Sequence, residues 1–98
     1  MIGVMNMSVH RQSKSDMYCT ECGQKNIPII RRKCRERESG HLKRMFCIHC
    51  KKDVNMVEVN DTTYTYQLFK FEYYSHNFKD GNRVKPLNIL KSKFLSEE

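Results

Sequence analysis

Two C-x-x-C pairs, Cys19-Thr20-Glu21-Cys22 and Cys47-Ile48-His49-Cys50, dominate the chemistry available to this chain of 98 residues. A C-x-x-C turn folds its backbone so that both sulfurs face one point, and two such turns complete a tetrahedral thiolate site. Zn²⁺ suits that site because its filled d shell imposes no other geometry and thiolate is a good ligand for it. Cys19, Cys22, Cys47 and Cys50 are therefore the candidate ligands of one structural Zn²⁺. With four protein ligands no coordination position is left for water, so the ion is expected to fold the chain rather than act on a substrate. Gly23 follows the first pair, where such turns favour a residue with positive φ. Lys51 holds the matching place after the second pair, which predicts a less ideal turn there.

The elements that must bring the two pairs together are short. Residues 23–46 separate them, close to what a long hairpin needs. Asn26–Arg35 reads as a strand, with Ile27, Ile29 and Ile30 favouring extended backbone and Pro28 confining it to an edge or to its start. Ser39-Gly40 is the turn signal and Leu42–Ile48 the returning strand. Val54–Val59 is the third strand. Knuckle, hairpin, knuckle and strand in that order predict a zinc ribbon of three antiparallel strands over residues 17–60. Residues 1–16 show no period and are expected to be a flexible extension, with His10 unneeded as a ligand.

Residues 61–98 differ in character and are expected to complete the same domain. Seven of the ten aromatic residues lie between positions 64 and 78. Tyr66, Phe69 and Tyr73 are spaced as one face of a helix, so 65–76 reads as helix, although its Thr and Tyr content also suits a strand. Asp80-Gly81-Asn82 is a turn, and Leu87, Leu90 and Phe94 mark an amphipathic helix over 87–95. Buried, the aromatic tract supplies the core that a bare ribbon lacks. Exposed, it would offer rings for stacking on bases or anchoring a partner.

Bulk composition bounds the rest. Only 39% of the chain is hydrophobic and there is no Trp, so the core is small and a metal would serve as its staple. No stretch approaches the ~20 apolar residues of a membrane helix, and Met1–Met7 reads as too short and too soon polar for a secretion signal, so none is expected. A reducing cytoplasm is the expected location, where such cysteine patterns mean metal more often than disulfides. The net charge is +7, and residues 1–53 carry all of it, with 12 Lys/Arg against 5 Asp/Glu.

That basic excess is the functional lead. Arg31, Arg32, Lys33 and Arg35 lie on the first strand of the expected hairpin, with Lys43 and Arg44 on the second. A twisted ribbon carrying such a row could lie along a phosphate backbone, with Arg forks on phosphate oxygens. The plainer reading is a solvated ribbon whose charge keeps its edge from pairing, with Glu36 and Glu38 neutralising part of the row. Cys34 sits between Lys33 and Arg35, a setting that favours a reactive thiolate, though a small apolar residue on the inner side of the hairpin is the simpler account.

The layout of residues 19–50 resembles the zinc ribbons of transcription elongation factors, but the adjacent Asp-Glu pair which those factors carry at the hairpin tip is missing. A closer resemblance is to small zinc-ribbon proteins of phages and mobile elements of Gram-positive bacteria. It rests on Cys19 to Lys33, on Gly40-His41-Leu42-Lys43-Arg44 and on Cys47-Ile48-His49-Cys50-Lys51-Lys52, and spans residues 17–59. It implies a phage setting and cytosolic action in a host cell. The expectation is a non-enzymatic accessory or regulatory protein contacting DNA or RNA through the basic hairpin. The alternative is a protein-interaction module that modulates a host factor, such as RNA polymerase or a defence complex. Neither a small-molecule substrate nor a membrane is implied.

Overall fold

Small and apolar residues alternate with polar ones along Gln12–Cys19, and this segment forms a strand, β1. The computed structural model describes residues 12–32 and 37–96 of the protein. Three further strands follow, β2 (Ile29–Arg32), β3 (Leu42–Cys47) and β4 (Lys52–Val59), in the spatial order β2-β1-β4-β3 with every neighbouring pair antiparallel. The first half of β1 pairs with β2, from Gln12 opposite Arg32 to Ser15 opposite Ile29. Its second half pairs with β4, from Asp16 opposite Val59 to Cys19 opposite Met56.

The sheet thus has four strands where the sequence predicts three, and residues 12–16 of the expected extension are half of a central strand. The predicted hairpin between 26–35 and 42–48 does not form, since β2 and β3 lie on opposite edges. Chain closure gives the reason. The first C-x-x-C turn already reverses the chain, with Cys19 N donating to Gln24 O at 3.0 Å and Asn26 N to Met17 O at 2.8 Å. Each cysteine turn returns the chain along the strand that entered it, so β2 pairs with β1 after the first turn and β4 with β3 after the second. Ser39-Gly40 is a turn, but it serves the passage from one edge of the sheet to the other. Gly40 has φ of +96°, and a Cβ there would come within 3.0 Å of the Tyr64 ring.

The sheet curls, and its two faces carry different cores. On the inner face Met17, Cys19, Cys47, Val54 and Met56 are buried, with Ile29 and Met45 beside them. On the outer face Tyr18 and Val57 meet Tyr64, Leu68, Phe69 and Leu90. The aromatic tract is a helix, α1 (Tyr66–Tyr74). Thr65 caps its start by accepting from Leu68 N, and His76 (φ 57°) ends it, with Asn77 N closing on Glu72 O. The cap favours helix over strand by satisfying one of the N–H groups a helix start leaves orphaned. Phe69 stacks on Tyr18 with ring centroids 5.1 Å apart. Most of the tract is core, while Tyr66 and Tyr74 remain exposed.

Two short strands, β5 (Phe78–Lys79) and β6 (Asn82–Arg83), then turn at Asp80-Gly81. Helix α2 (Leu87–Ser96) follows and inserts Leu90 into the outer core, with Phe94 against Phe71. One charged knot ties these pieces together. Glu72 of α1 is fully buried and receives Arg83 of β6, the Tyr64 hydroxyl and the Asn77 side-chain amide. Burial and the neighbouring Glu72 carboxylate both push the Tyr64 hydroxyl up from its ordinary value. Among the described residues no helix is long and apolar enough to cross a membrane.

Candidate metal centre

Cys19 ends β1 and Cys47 ends β3, so the sheet itself delivers the first sulfur of each pair to the inner face. Cys22 and Cys50 return from the turns. All four Sγ atoms lie within 4.8 Å of one another. The Cys19–Cys50 and Cys22–Cys47 sulfur separations are both 3.8 Å. A tetrahedron with metal–sulfur bonds of 2.3 Å has edges of about 3.8 Å, whereas a disulfide requires about 2.05 Å. The four cysteines are free thiols, arranged as a four-sulfur cluster that could hold a metal ion.

The two turns repeat one design. In each, the residue after the second cysteine donates its N–H to the carbonyl of the first, Gly23 to Cys19 at 2.9 Å and Lys51 to Cys47 at 2.8 Å. Both residues adopt positive φ, +72° and +62°. Lys51 therefore holds the same geometry as Gly23 at a steric cost of ~1 kcal/mol, which is the sense in which its turn is less ideal. The first cysteine of each pair also collects hydrogen bonds. Cys19 Sγ accepts from the N–H groups of Glu21 and Cys22, and Cys47 Sγ from Cys50 N–H at 3.3 Å and the Asn26 amide at 3.4 Å.

These contacts divide the thiols. Burial pushes Cys47 up, but hydrogen bonds from Cys50, Asn26 and His49 outweigh it and lower the thiol to about 6. Burial pushes Cys19 up, and Cys50 is pushed up by desolvation and by the sulfurs around it. Four thiolates this close repel one another, so a cation is what allows them all to ionise together.

Two supports of the cage are not evident in the sequence. Asn26 accepts from Ile48 N–H at 2.8 Å while donating to Cys47 Sγ, so it binds the β1–β2 hairpin to the second turn. Tyr73 of α1 lies over Gly23, where an added Cβ would meet its ring at 3.0 Å, and its hydroxyl donates to Glu21 O at 3.1 Å. Asn26 reads as an ordinary strand-start residue, and the partner of Tyr73 lies some fifty positions away. Only the glycine after Cys22 hinted that something packs close.

The basic residues are not brought together as the sequence predicts. Arg31 turns inward and grips the fully buried Glu58 with two of its nitrogens, Nε to Oε2 at 2.7 Å and Nη2 to Oε1 at 3.1 Å. Ser15 donates to the same carboxylate. Arg32 is exposed on β2. Lys43 and Arg44 lie on β3, at the far edge of the sheet, with Arg44 donating to Asp53 O at 3.2 Å. Lys33, Arg35 and Cys34 lie outside the described residues. Among the described residues, Arg32 and the Lys43–Arg44 pair therefore lie at opposite edges of the sheet, and Arg31 is tied to the buried Glu58.

Glu58 carries a pH prediction. Burial raises its carboxyl, but the hydrogen bonds from Arg31 and Ser15 and the charges of Arg31 and His41 outweigh that and lower it. A lowered folded value means that its stabilisation is present above the unfolded value of about 4.3 and is lost as pH falls through the folded value. Melting temperatures measured from pH 7 to pH 3 should drop more steeply on the acid side for the wild type than for Glu58→Gln. Parallel curves at equal metal content would refute the assignment.

Comparison with protein-family models, curated proteins and solved structures finds no match for this chain.

Proposed function

We propose that this protein is a non-enzymatic zinc-ribbon module whose single Zn²⁺ is structural and whose basic outer surface contacts nucleic acid. The observation that carries the structural role is the cage of four thiols at tetrahedral spacing, half of it fully buried. Four protein sulfurs satisfy a tetrahedral Zn²⁺ and leave it no position for a reacting water. The resemblance of residues 17–59 to small phage and mobile-element ribbons supports an accessory or regulatory role in the cytosol of a host cell.

Nucleic-acid contact rests on charge that the fold does not consume. Arg31 is consumed by Glu58, but Lys14 and Arg32 are exposed and share the outer face of the β1–β2 hairpin, because Lys14 pairs with Ile30 and Gln12 with Arg32. Lys33 and Arg35 follow directly in sequence. Lys70 stands over the Tyr66 ring, which itself stacks on Tyr18 of β1, adding a cation along the same strand. Phosphate binding of this kind releases counterions and weakens steeply with salt.

The test is fluorescence anisotropy with single-stranded and duplex oligonucleotides across a salt series. We expect binding at 50 mM salt, a linear fall of log affinity with log salt, and a loss of at least about tenfold in the Lys14→Glu/Arg32→Glu variant. Absence of binding at low salt, or equal binding by the variant, would remove the proposal. A protein partner is the second reading, and the open edge of β3 favours it.

A further inference from the structure

We infer that the outer edge of β3 is a docking edge for an acidic, extended peptide segment, which adds as a fifth strand to the sheet. The inference goes beyond nucleic-acid contact and does not depend on it, because β3 lies at the opposite edge from Arg32.

The edge has the features of one left open. β3 pairs with β4 on one side only, and among the described residues no strand covers the other. Its register with β4 is continuous over six residues, from Leu42 opposite Val57 to Cys47 opposite Lys52, with no bulge to twist the edge away. It contains no proline. Edge strands are ordinarily protected by bulges, prolines, charges or covering elements; among the described residues β3 has no bulge, proline or covering strand, and its protection is charge. Alternate residues of such a strand direct their N–H and C=O groups outward, available to an incoming chain.

The occupant follows from the side chains. Lys43 and Arg44 are adjacent on the strand, and Arg44 is exposed. Arg44 donates to a backbone carbonyl, and among the described residues no carboxylate lies within ion-pair distance of it. His41 precedes them and Lys51 and Lys52 follow the second turn, with Lys52 held by Glu21 at 3.0 Å. A second copy of β3 would bring two cations against two cations, which opposes self-pairing. An acidic strand reverses the sign of that interaction. Phe46 is 54% exposed and Ile48 44%, so the same edge ends in an apolar anchor. Main-chain pairing would supply affinity, and specificity would come from acids beside Lys43 and Arg44 with an apolar residue beside Phe46.

The test is selection of eight-residue peptides from a random displayed library against the zinc-loaded protein. We expect the recovered peptides to carry two consecutive acidic residues, to meet Lys43 and Arg44, with an apolar residue separated from them by one position to meet Phe46, and to protect the amides of residues 42–47 from hydrogen exchange. We expect Lys43→Glu/Arg44→Glu to weaken them at least about tenfold with zinc content and circular dichroism unchanged. Methylating the peptide nitrogens that face β3 should abolish binding, whereas methylating those that face away should not. Each of the following would overturn the inference: no enriched peptide, peptides without acidic bias, protection elsewhere on the chain, or insensitivity to backbone methylation. Protection of the same amides by an oligonucleotide alone, or by raising the protein concentration alone, would likewise replace the acidic strand with nucleic acid or with a second copy.

Discussion

The metal-free protein is expected to be unfolded at neutral pH, and the zinc-loaded protein folded. The cage joins the end of β1 to the end of β3, two strands that are not neighbours in the sheet, and Asn26 and Tyr73 fasten the rest of the fold to its turns. Structural zinc sites contribute roughly 10–16 kcal/mol of apparent binding free energy at pH 7. A domain of this size has a total stability of about 5–15 kcal/mol, so removing the ion removes as much as the whole fold possesses. Without it, four sulfurs within 4.8 Å of one another could not all ionise, and nothing would hold the two turns together at their centre. Elemental analysis should find one zinc per chain. Addition of a strong chelator should collapse the strand and helix signals in circular dichroism, and Cys47→Ser should reproduce that state. A chelated protein that retains its spectrum and its amide protection would show that the cores suffice and that the cage is dispensable.

Arg83→Ala is expected to destabilise the zinc-loaded protein by about 3–5 kcal/mol. Its guanidinium is the counter-ion of Glu72, which has no exposure, and it also lies over the rings of Tyr64 and Phe78 at 5.6 and 5.8 Å. Burial alone would lower the Arg83 value, but Glu72 and Tyr64 outweigh it, and the group is held more firmly charged than a free arginine. Removing one partner leaves the other charge buried and uncompensated, which costs far more than the pair contributes when intact. Replacing both, as Glu72→Gln/Arg83→Met, should therefore cost less than Arg83→Ala alone. Urea denaturation of the two single variants and the double variant, at fixed zinc loading, measures the coupling. Additive losses would mean that the pair does not act as a unit.

The cysteine turns and the helices were legible in the sequence for local reasons. A C-x-x-C pair encodes its geometry within four residues, and Leu87, Leu90 and Phe94 mark a helix face within eight. Even so, local pattern reached its limit inside α1. The face expected at Tyr66, Phe69 and Tyr73 is turned in the structure toward Leu68, Phe69 and Glu72. Glu72 can face inward only because Arg83, Asn77 and Tyr64 meet it there, and no window of one helix contains them all.

Strand pairing was beyond the sequence for a related reason. A strand's pattern states which residues face inward but not which strand lies beside it. Along β1 the inner residues Ser13 and Ser15 are polar, so the alternation that ends in Met17 and Cys19 was masked. Ser15 is inward because it donates to Glu58 from across the sheet. Arg31 looked like the start of a phosphate-binding row, yet the same buried carboxylate, 27 positions further on, takes it as its partner. The sequence by itself determined which cysteines form the cluster and the places where the chain turns and coils, because those depend on near neighbours. The tertiary structure alone decided which edges carry free charge, because a cation is free or consumed according to partners that only folding brings within reach.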